Sequence, residues 1–192
     1  KTDKQGRPIY IELLSKIDMD KLLKATTEER LKKYYVREYE RLMKYRFPAC
    51  SSVMKKPIEQ SLTILDLEGI GISHLVGKTK AFLQIASSVG QDYYPEMLGT
   101  MMLLNTSFLF NAVWAIAKAF IDEKTRKKIH MLGYKYKSKL LELVDPQNLP
   151  NIIGGECTCP HIENGCLYSD IGPWNPRGGI KVGDHDTYLG EK

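Results

Sequence analysis

The sequence lacks the short motifs that announce hydrolytic chemistry. It has no Gly-x-Ser-x-Gly elbow to raise a serine nucleophile and no His-Glu-x-x-His pair to hold zinc on a helix. Its four histidines, His74, His130, His161 and His185, have no plausible set of catalytic partners. A hydrolase is therefore poorly supported. Basic residues are scattered rather than run together, and the net charge of +5 is mild. That excludes a nucleic-acid signature and leaves weak attraction to anionic surfaces. No secretory signal and no initiator Met precede "KTDKQGRP", as expected of a fragment or a trimmed domain. Internal repeats and low-complexity segments are also missing. What remains is 192 residues of ordinary globular composition, enough for one domain with a substantial core.

Two stretches come close to known sites and fall short on spacing. "LTILDLEGIGISHLVGKT", Leu62 to Thr79, has the grammar of a phosphate-binding loop. Such a loop needs a glycine five residues before the Gly of Gly-Lys-Thr, so that backbone N–H groups curl round a phosphate. That position is Ile72, and Gly71 comes one residue too early. A β-branched side chain resists the turn, so Lys78 reads as a solvated helix residue. "CTCPHIENGC" offers Cys157, Cys159, His161 and Cys166 as zinc ligands. Paired zinc cysteines usually have roughly two to four residues between them. Cys-x-Cys is tighter and Pro160 stiffens it, so a surface loop with reduced thiols is expected. No metal site and no cofactor is expected.

Along the chain, strands alternate with helices. Gly6-Arg7-Pro8 is a turn, and "IYIELL" a strand with Tyr10 on one face. "TTEERLKKYYVREYERLMKY" is the clearest helix: Thr26 and Glu29 make a capping box, Leu31, Tyr35, Tyr39 and Leu42 share a face, and Pro48 stops it. "SLTILDLEG" is a second strand. "LVGKTKAFLQIASSVGQ" is a helix with Phe82, Ala86 and Val89 on one side. A helical turn near Pro95 leads to the strand "TMMLLN" and the long helix "TSFLFNAVWAIAKAFI". "DEKTRKKIHMLG" is a short helix running into a strand, and "YKSKLLELVDPQNLP" an amphipathic helix. From Cys159 the chain is Gly- and Pro-rich and mostly irregular. This order predicts an α/β domain with a largely parallel sheet, its apolar strands covered on both faces.

The run from Met101 to Ile121 has the length of a membrane span, since about 20 apolar residues cross a bilayer. Asn105, Thr106 and Ser107 split it, and Asn111 and Lys118 would lie within the span at a cost. The second half is apolar almost all round, which predicts either a central core helix or one between an apolar ligand and a membrane.

Taken in order, "GRPIY", "REYERL…YRFPACS", "LTILDLEGIGIS", "YYPEMLG", "FIDEKTRKKI", "LLELVDPQNLPNIIGG" and "LYSDIGPW" resemble the CRAL-TRIO lipid-binding domain. The subtype resembled is the eukaryotic phosphatidylinositol/phosphatidylcholine transfer proteins. The resemblance runs from Lys1 to about Trp174, with residues 175–192 as an irregular tail, and without the small helical module that usually precedes the domain. It implies a mixed, largely parallel sheet forming the floor of a hydrophobic lipid pocket, walled and gated by helices. The ligand implied is one bound phospholipid, exchanged between membranes and presented to phosphatidylinositol kinases.

The resemblance also implies residue roles. Ser61 and Thr63, with Tyr10 and Tyr39, match the phosphatidylcholine headgroup site. Glu96, Thr125 and Lys128 match the phosphatidylinositol headgroup site, with Lys128 paired to Glu96 or to the lipid phosphate. Phe108, Phe110, Trp114 and Phe120 fall on the gate helix, and Gly154 and Gly155 are expected to be hinge positions beside it. Three departures stand out. Asn105-Thr106-Ser107 replaces Asn-Ala-Pro, Lys118-Ala119-Phe120 replaces Lys-Pro-Phe, and a family serine aligns near Gly90, beside Ser87 and Ser88. A monomeric cytoplasmic carrier is implied, reversibly associated with a membrane of the Golgi or endosomes. The competing reading is a CRAL-TRIO module for another lipophile, such as a sterol or tocopherol, or a membrane-sensing regulatory domain.

Overall fold

The computed structural model describes residues 1–70, 78–108 and 110–176. Among them four strands form one sheet in the order β1-β2-β3-β4, each neighbouring pair parallel. They are β1 (Ile9–Leu13), β2 (Ser61–Asp66), β3 (Leu98–Leu104) and β4 (Ile129–Met131). Parallel neighbours need long crossovers, which helices supply. Between β1 and β2 lie α1 (Met19–Ala25), α2 (Glu28–Arg41) and α3 (Phe47–Met54); α4 (Lys78–Tyr93) leads to β3. α5 (Phe110–Ala117) and α6 (Glu123–Lys127) lead to β4, and α7 (Lys137–Leu143) follows. The α/β class and the strand positions agree with the sequence reading. No described helix is long and apolar enough to cross a membrane.

The two-residue period of a strand assigns the faces. On β2, Leu62 and Ile64 are fully buried and pack with Met102, Leu104, Leu140, Val144, Leu149 and Ile153. This is the dry core, beneath the sheet and against α7. Burying each such side chain is worth about 1.5–3 kcal/mol. Ser61, Thr63 and Leu65 alternate with them and point to the opposite face. There Thr63 pairs with Tyr10 and Met101, and Leu65 pairs with Glu12 and Leu103. The register slips once, at Gly99, because Ser61 pairs with Leu98 while Leu62 pairs with Thr100. A Cβ on Gly99 would lie 2.7 Å from Arg7 Nη1 and 3.1 Å from the Ser61 carbonyl, so a side chain here would crowd the bulge.

Several local expectations shift. Thr27, one residue later than expected, caps α2 by accepting from the Arg30 N–H at 3.3 Å. Thr26 instead ends α1. Pro48 does not stop the helix. The chain passes through a π turn at Leu42–Arg46, in which Phe47 N–H reaches the Leu42 carbonyl, and continues as α3 with Pro48 in its first turn. A proline lacks the N–H and crowds the carbonyl four residues back; the wider turn shifts the ladder at that point. The stretch near Pro95 is a tight turn rather than a helical one, with Glu96 at φ 64°. The apolar helix is shorter than expected: Phe108 precedes it and Lys118–Phe120 form a 3-10 turn. The side chains of Phe82, Ala86 and Phe120, and residues 177–192 of the expected tail, lie outside the described residues.

Asn105 ends β3 at φ 55° and donates to Asp66 Oδ1 at 2.7 Å. Asn tolerates the left-handed region better than most residues. Thr106 donates through both its N–H and its hydroxyl to the Leu132 carbonyl. These contacts show what Asn105 and Thr106 do in place of an Asn-Ala-Pro turn.

Gly154 and Gly155 follow the 3-10 turn Asn151–Ile153. The sequence reading puts a hinge beside the gate here. The structure puts a close-packed turn beneath the sheet, with Ile153 in the core opposite the face that meets α5. A Cβ on Gly155 would fall 1.9 Å from the Leu149 carbonyl oxygen, so the need for glycine is one of space. Gly155→Ala should destabilise by roughly 2–3 kcal/mol, through overpacking against rigid backbone. Gly133→Ala should be near neutral, since its nearest neighbour is the Thr106 carbonyl at 3.9 Å. Thermal unfolding reads both, with a drop on the order of 5–10 °C expected for the first. Equal Tm values for the two variants would contradict the packing argument.

Candidate functional site

Above the second sheet face lies a cavity of about 760 Å³, large on the scale of roughly 300–1,000 Å³ typical of ligand pockets. Thr63, Leu65, Met101 and Leu103 form its floor. Tyr35 and Tyr39 of α2, Gly90 of α4, and Phe110 and Trp114 of α5 form walls. Leu65, Met101 and Leu103 make the floor mostly apolar, with Thr63 as its polar member. What covers this face differs from the dry core: helices stand off the sheet and leave room.

Tyr10, Tyr39, Ser61 and Thr63 all line this cavity. β1 and β2 set three of them by register, Tyr10 opposite Thr63 with Ser61 two residues earlier. Ser61 Oγ donates to the Met97 carbonyl at 3.3 Å. Tyr10, 38% exposed, turns its hydroxyl to Glu12 Oε2 at 3.1 Å. Burial in the cavity wall pushes the Glu12 carboxyl above the usual carboxylate range, opposed by the Tyr10 hydrogen bond. The Tyr10 and Tyr35 phenols are also pushed up, by burial first. Tyr39 stacks on Tyr94, ring centres 4.7 Å apart. Its hydroxyl would sit 2.6 Å from a Cβ on Gly90, so this glycine gives Tyr39 its place against α4.

A second polar group borders the same cavity. Lys128 Nζ donates to Glu96 Oε2 at 2.9 Å, and Lys124 Nζ to Glu96 Oε1 at 3.4 Å. The Lys128 hydrogen bond, foremost, holds the Glu96 carboxyl below its ordinary range. Glu96 is exposed while Lys128 is 21% exposed along its side chain. Asp122 caps α6 by accepting from the Thr125 N–H at 2.9 Å. Glu96, from the β3 approach, pairs with Lys128 at the end of α6, and Thr125 of α6 lines the same cavity.

The aromatic set divides. Phe110 is 6% exposed and packs with Leu67 and Leu103, while Trp114 lines the cavity. Phe108 stands 88% exposed before α5. Gly154 and Gly155 are not among the lining residues. Sequence reasoning missed Glu12, Glu38 and Arg46, which also line the cavity. Glu12 was signalled by Tyr10-x-Glu12, two residues apart on one strand face. Arg46 carried no such signal. It bonds Glu38 at 3.3 Å and Asp170 at 3.3 Å, a partner distant in sequence.

Cys157 and Cys159 are buried and Cys166 is half-buried, unlike the expected surface thiols. Their sulfur atoms lie within 4.8 Å of one another. His161 is exposed and stands outside this cluster.

A family model described as the CRAL/TRIO domain matches residues 1–155. The phosphatidylinositol/phosphatidylcholine transfer protein SFH7 of Arabidopsis thaliana is 47% identical over 94% of this chain and 33% of its own length. The Sec14 cytosolic factor of Schizosaccharomyces pombe is 47% identical over 91% of this chain and 60% of its own. The chain thus spans between a third and three fifths of these relatives. A crystal structure of Sfh5 shares the fold, with a TM-score of 0.50 at 18% identity, over 94% of this chain and 55% of that one.

The Glu12 environment generates a pH prediction. Its folded pKa is raised, so the folded state holds the proton to higher pH than the unfolded chain. Its contribution is fully present below the ordinary carboxylate range and is lost as pH rises through the raised value. Glu12→Gln should therefore flatten that part of the stability profile and raise Tm at neutral pH. Urea unfolding from about pH 4 to pH 7 tests it, and an unchanged slope would clear Glu12 of the effect.

Proposed function

The chain belongs to the CRAL/TRIO domain family, and on that premise we propose that it carries phosphatidylinositol and phosphatidylcholine between membranes, one molecule at a time, without catalysing a reaction. The observation that carries this reading is the apolar cavity with two distinct polar groups in its wall. Removing an acyl CH₂ from water is worth about 0.8 kcal/mol, so two long chains represent roughly 20 kcal/mol or more. A carrier must enclose them and must also open. The name of the Arabidopsis thaliana relative at 47% identity supports the two headgroups.

The two lipids share the apolar space and use different polar sites. An inositol ring offers many hydroxyls and a phosphate, and calls for several fixed donors and acceptors. Glu96, Thr125 and Lys128 supply these: the carboxylate accepts, the ammonium meets the phosphate and the Thr125 hydroxyl bonds the ring. Choline offers a cation without donors, which suits the faces of Tyr10 and Tyr39, with Ser61 and Thr63 beside them. α5 serves as the gate. Phe110 and Trp114 face the lipid, and Phe108 enters the bilayer interface. The protein acts as a monomer in the cytoplasm, docks reversibly on Golgi or endosomal membranes, and presents phosphatidylinositol to lipid kinases.

Native mass spectrometry after incubation with mixed lipid vesicles tests the ligand class: bound phosphatidylinositol and phosphatidylcholine are expected, and a bound sterol or an empty chain overturns the reading. Lys128→Ala should lower phosphatidylinositol transfer about tenfold or more by removing a charge-assisted contact. Phosphatidylcholine transfer should stay near normal. Paired transfer assays measure this, and equal loss of both lipids would deny separate sites. Phe108→Asp should slow vesicle-to-vesicle exchange of both lipids several-fold, because a carboxylate in the interface is costly. Its Tm should hold, since Phe108 has little packing to lose. Unchanged exchange would remove Phe108 from the membrane contact.

A further inference from the structure

Cys157, Cys159 and Cys166 converge although they make no disulfide. Cys157 Sγ and Cys159 Sγ are 3.3 Å apart, and Cys166 Sγ lies 3.6 Å from Cys157 Sγ. Thiol groups are weak donors and weak acceptors, so these contacts alone give little reason to gather. Sulfurs bound to one tetrahedral zinc at about 2.3 Å stand roughly 3.8 Å apart. The two spacings of 3.3 and 3.6 Å are somewhat shorter than that, and all three sulfurs lie within 4.8 Å of one another. Cys50 is a useful contrast, being buried alone among Phe47, Ile58 and Met97 as an ordinary small hydrophobe.

The backbone is bent to bring the sulfurs together. Cys159 sits at φ 47°, a conformation that few residues with a Cβ adopt, and Asn164 at φ 62°, which Asn tolerates better than most. After them the 3-10 turn Gly165–Tyr168 carries Cys166 back, and its thiol donates to the Cys157 carbonyl at 3.2 Å. Cys157 is itself fixed. Its N–H donates to the Leu149 carbonyl, and its carbonyl accepts from Asn151 N–H. The cluster therefore rests on the turn that closes the dry core, and none of its members lines the cavity.

We propose that Cys157, Cys159 and Cys166 are a three-thiolate site for a thiophilic d¹⁰ cation, zinc or Cu(I). Oxygen-seeking cations such as calcium and magnesium do not fit a donor set made only of sulfur. The half-buried Cys166 side leaves a corner open to water, so a four-coordinate ion is completed by solvent and a three-coordinate one by the cysteines alone. Each thiol that binds releases its proton to solvent, so affinity falls as pH falls. The role of the site is structural. It ties the segment from Cys157 onward to the Leu149–Ile153 turn, and that segment goes on to place Asp170 against Arg46 and Trp174.

The test uses the reduced chain without a histidine tag, stripped by chelator and then loaded with Zn²⁺ or Cu(I) in separate arms. Elemental analysis after gel filtration should find one equivalent per chain, and the preferred arm identifies the ion. Cobalt substitution of the unmodified chain should give thiolate-to-metal charge-transfer absorption, a readout that needs no variant to fold. Cys157→Ser, Cys159→Ser and Cys166→Ser should each weaken binding about tenfold or more, and Cys50→Ser should leave it unchanged. A higher Tm of the loaded chain supports the structural role. Retention of neither ion, with all four thiols found reduced when titrated in denaturant, overturns the proposal. So does a disulfide within the cluster that persists through the reductant, read as a mass two hydrogens below that of the fully reduced chain.

Discussion

The architecture depends on one constraint: a parallel sheet has two apolar faces, and this chain covers them differently. Leu62 and Ile64 point into side chains from α7 and the turns after it. Ser61, Thr63 and Leu65, one residue out of phase, point into open space of about 760 Å³. The first face has the close packing of a protein interior. The second is enclosed by helices that keep their distance. The same six-residue strand therefore serves as core and as cavity floor, and a slip of one residue would exchange the two. Asp66 secures the end of that strand by accepting from Asn105 and from the Glu68 N–H, and the Gly99 bulge adjusts its beginning.

Polar groups in the cavity wall follow from the same economy of space. Tyr10 and Glu12 share a strand face, so the carboxyl that burial would strand finds a phenol beside it. Buried polar groups without partners are costly, and a pair on alternate residues of one strand satisfies both locally. Glu96 is treated oppositely. It stands at the edge, on a turn with positive φ, and two lysines from α6 and its end converge on it. One wall thus holds an acid whose pKa burial raises, and another holds an acid whose pKa two lysines lower. This asymmetry gives a single cavity two different polar walls.

The walls are held from behind by contacts distant in sequence. Arg46, in the π turn between α2 and α3, reaches Glu38 and Asp170, and the Trp174 ring lies 5.9 Å from its guanidinium. The C-terminal segment therefore braces the helix that carries Tyr35 and Tyr39. The cysteine cluster lies at the start of that segment. Its fixation beneath the sheet and the Asp170 contact on the helix side make the segment a strap joining the dry face to the cavity wall.

Period and punctuation made much of this visible in the sequence. The alternation of "SLTILD" and "IYIEL" fixed the strands and put Ser61 with Thr63 on one face, and Tyr10-x-Glu12 was legible by the same rule although only Tyr10 drew notice. The ordered motifs marked the family, and pairing of Lys128 with Glu96 could be anticipated. Other features depend on neighbours that no local pattern reveals. Pro48 reads as a stop, yet a π turn absorbs it. Gly154-Gly155 reads as freedom, which Gly154 uses at φ 89°, yet Gly155 is small because Leu149 leaves no room. Phe108 and Phe110 look equivalent, yet the onset of α5 leaves one in solvent and buries the other. Cys-x-Cys with a third cysteine seven residues on has no familiar spacing, and the bends at Cys159 and Asn164 with the 3-10 turn Gly165–Tyr168 bring the sulfurs together. Local order determined which residues share a face; the tertiary structure decided what that face meets, because close approach and burial are set by chain segments far apart in sequence.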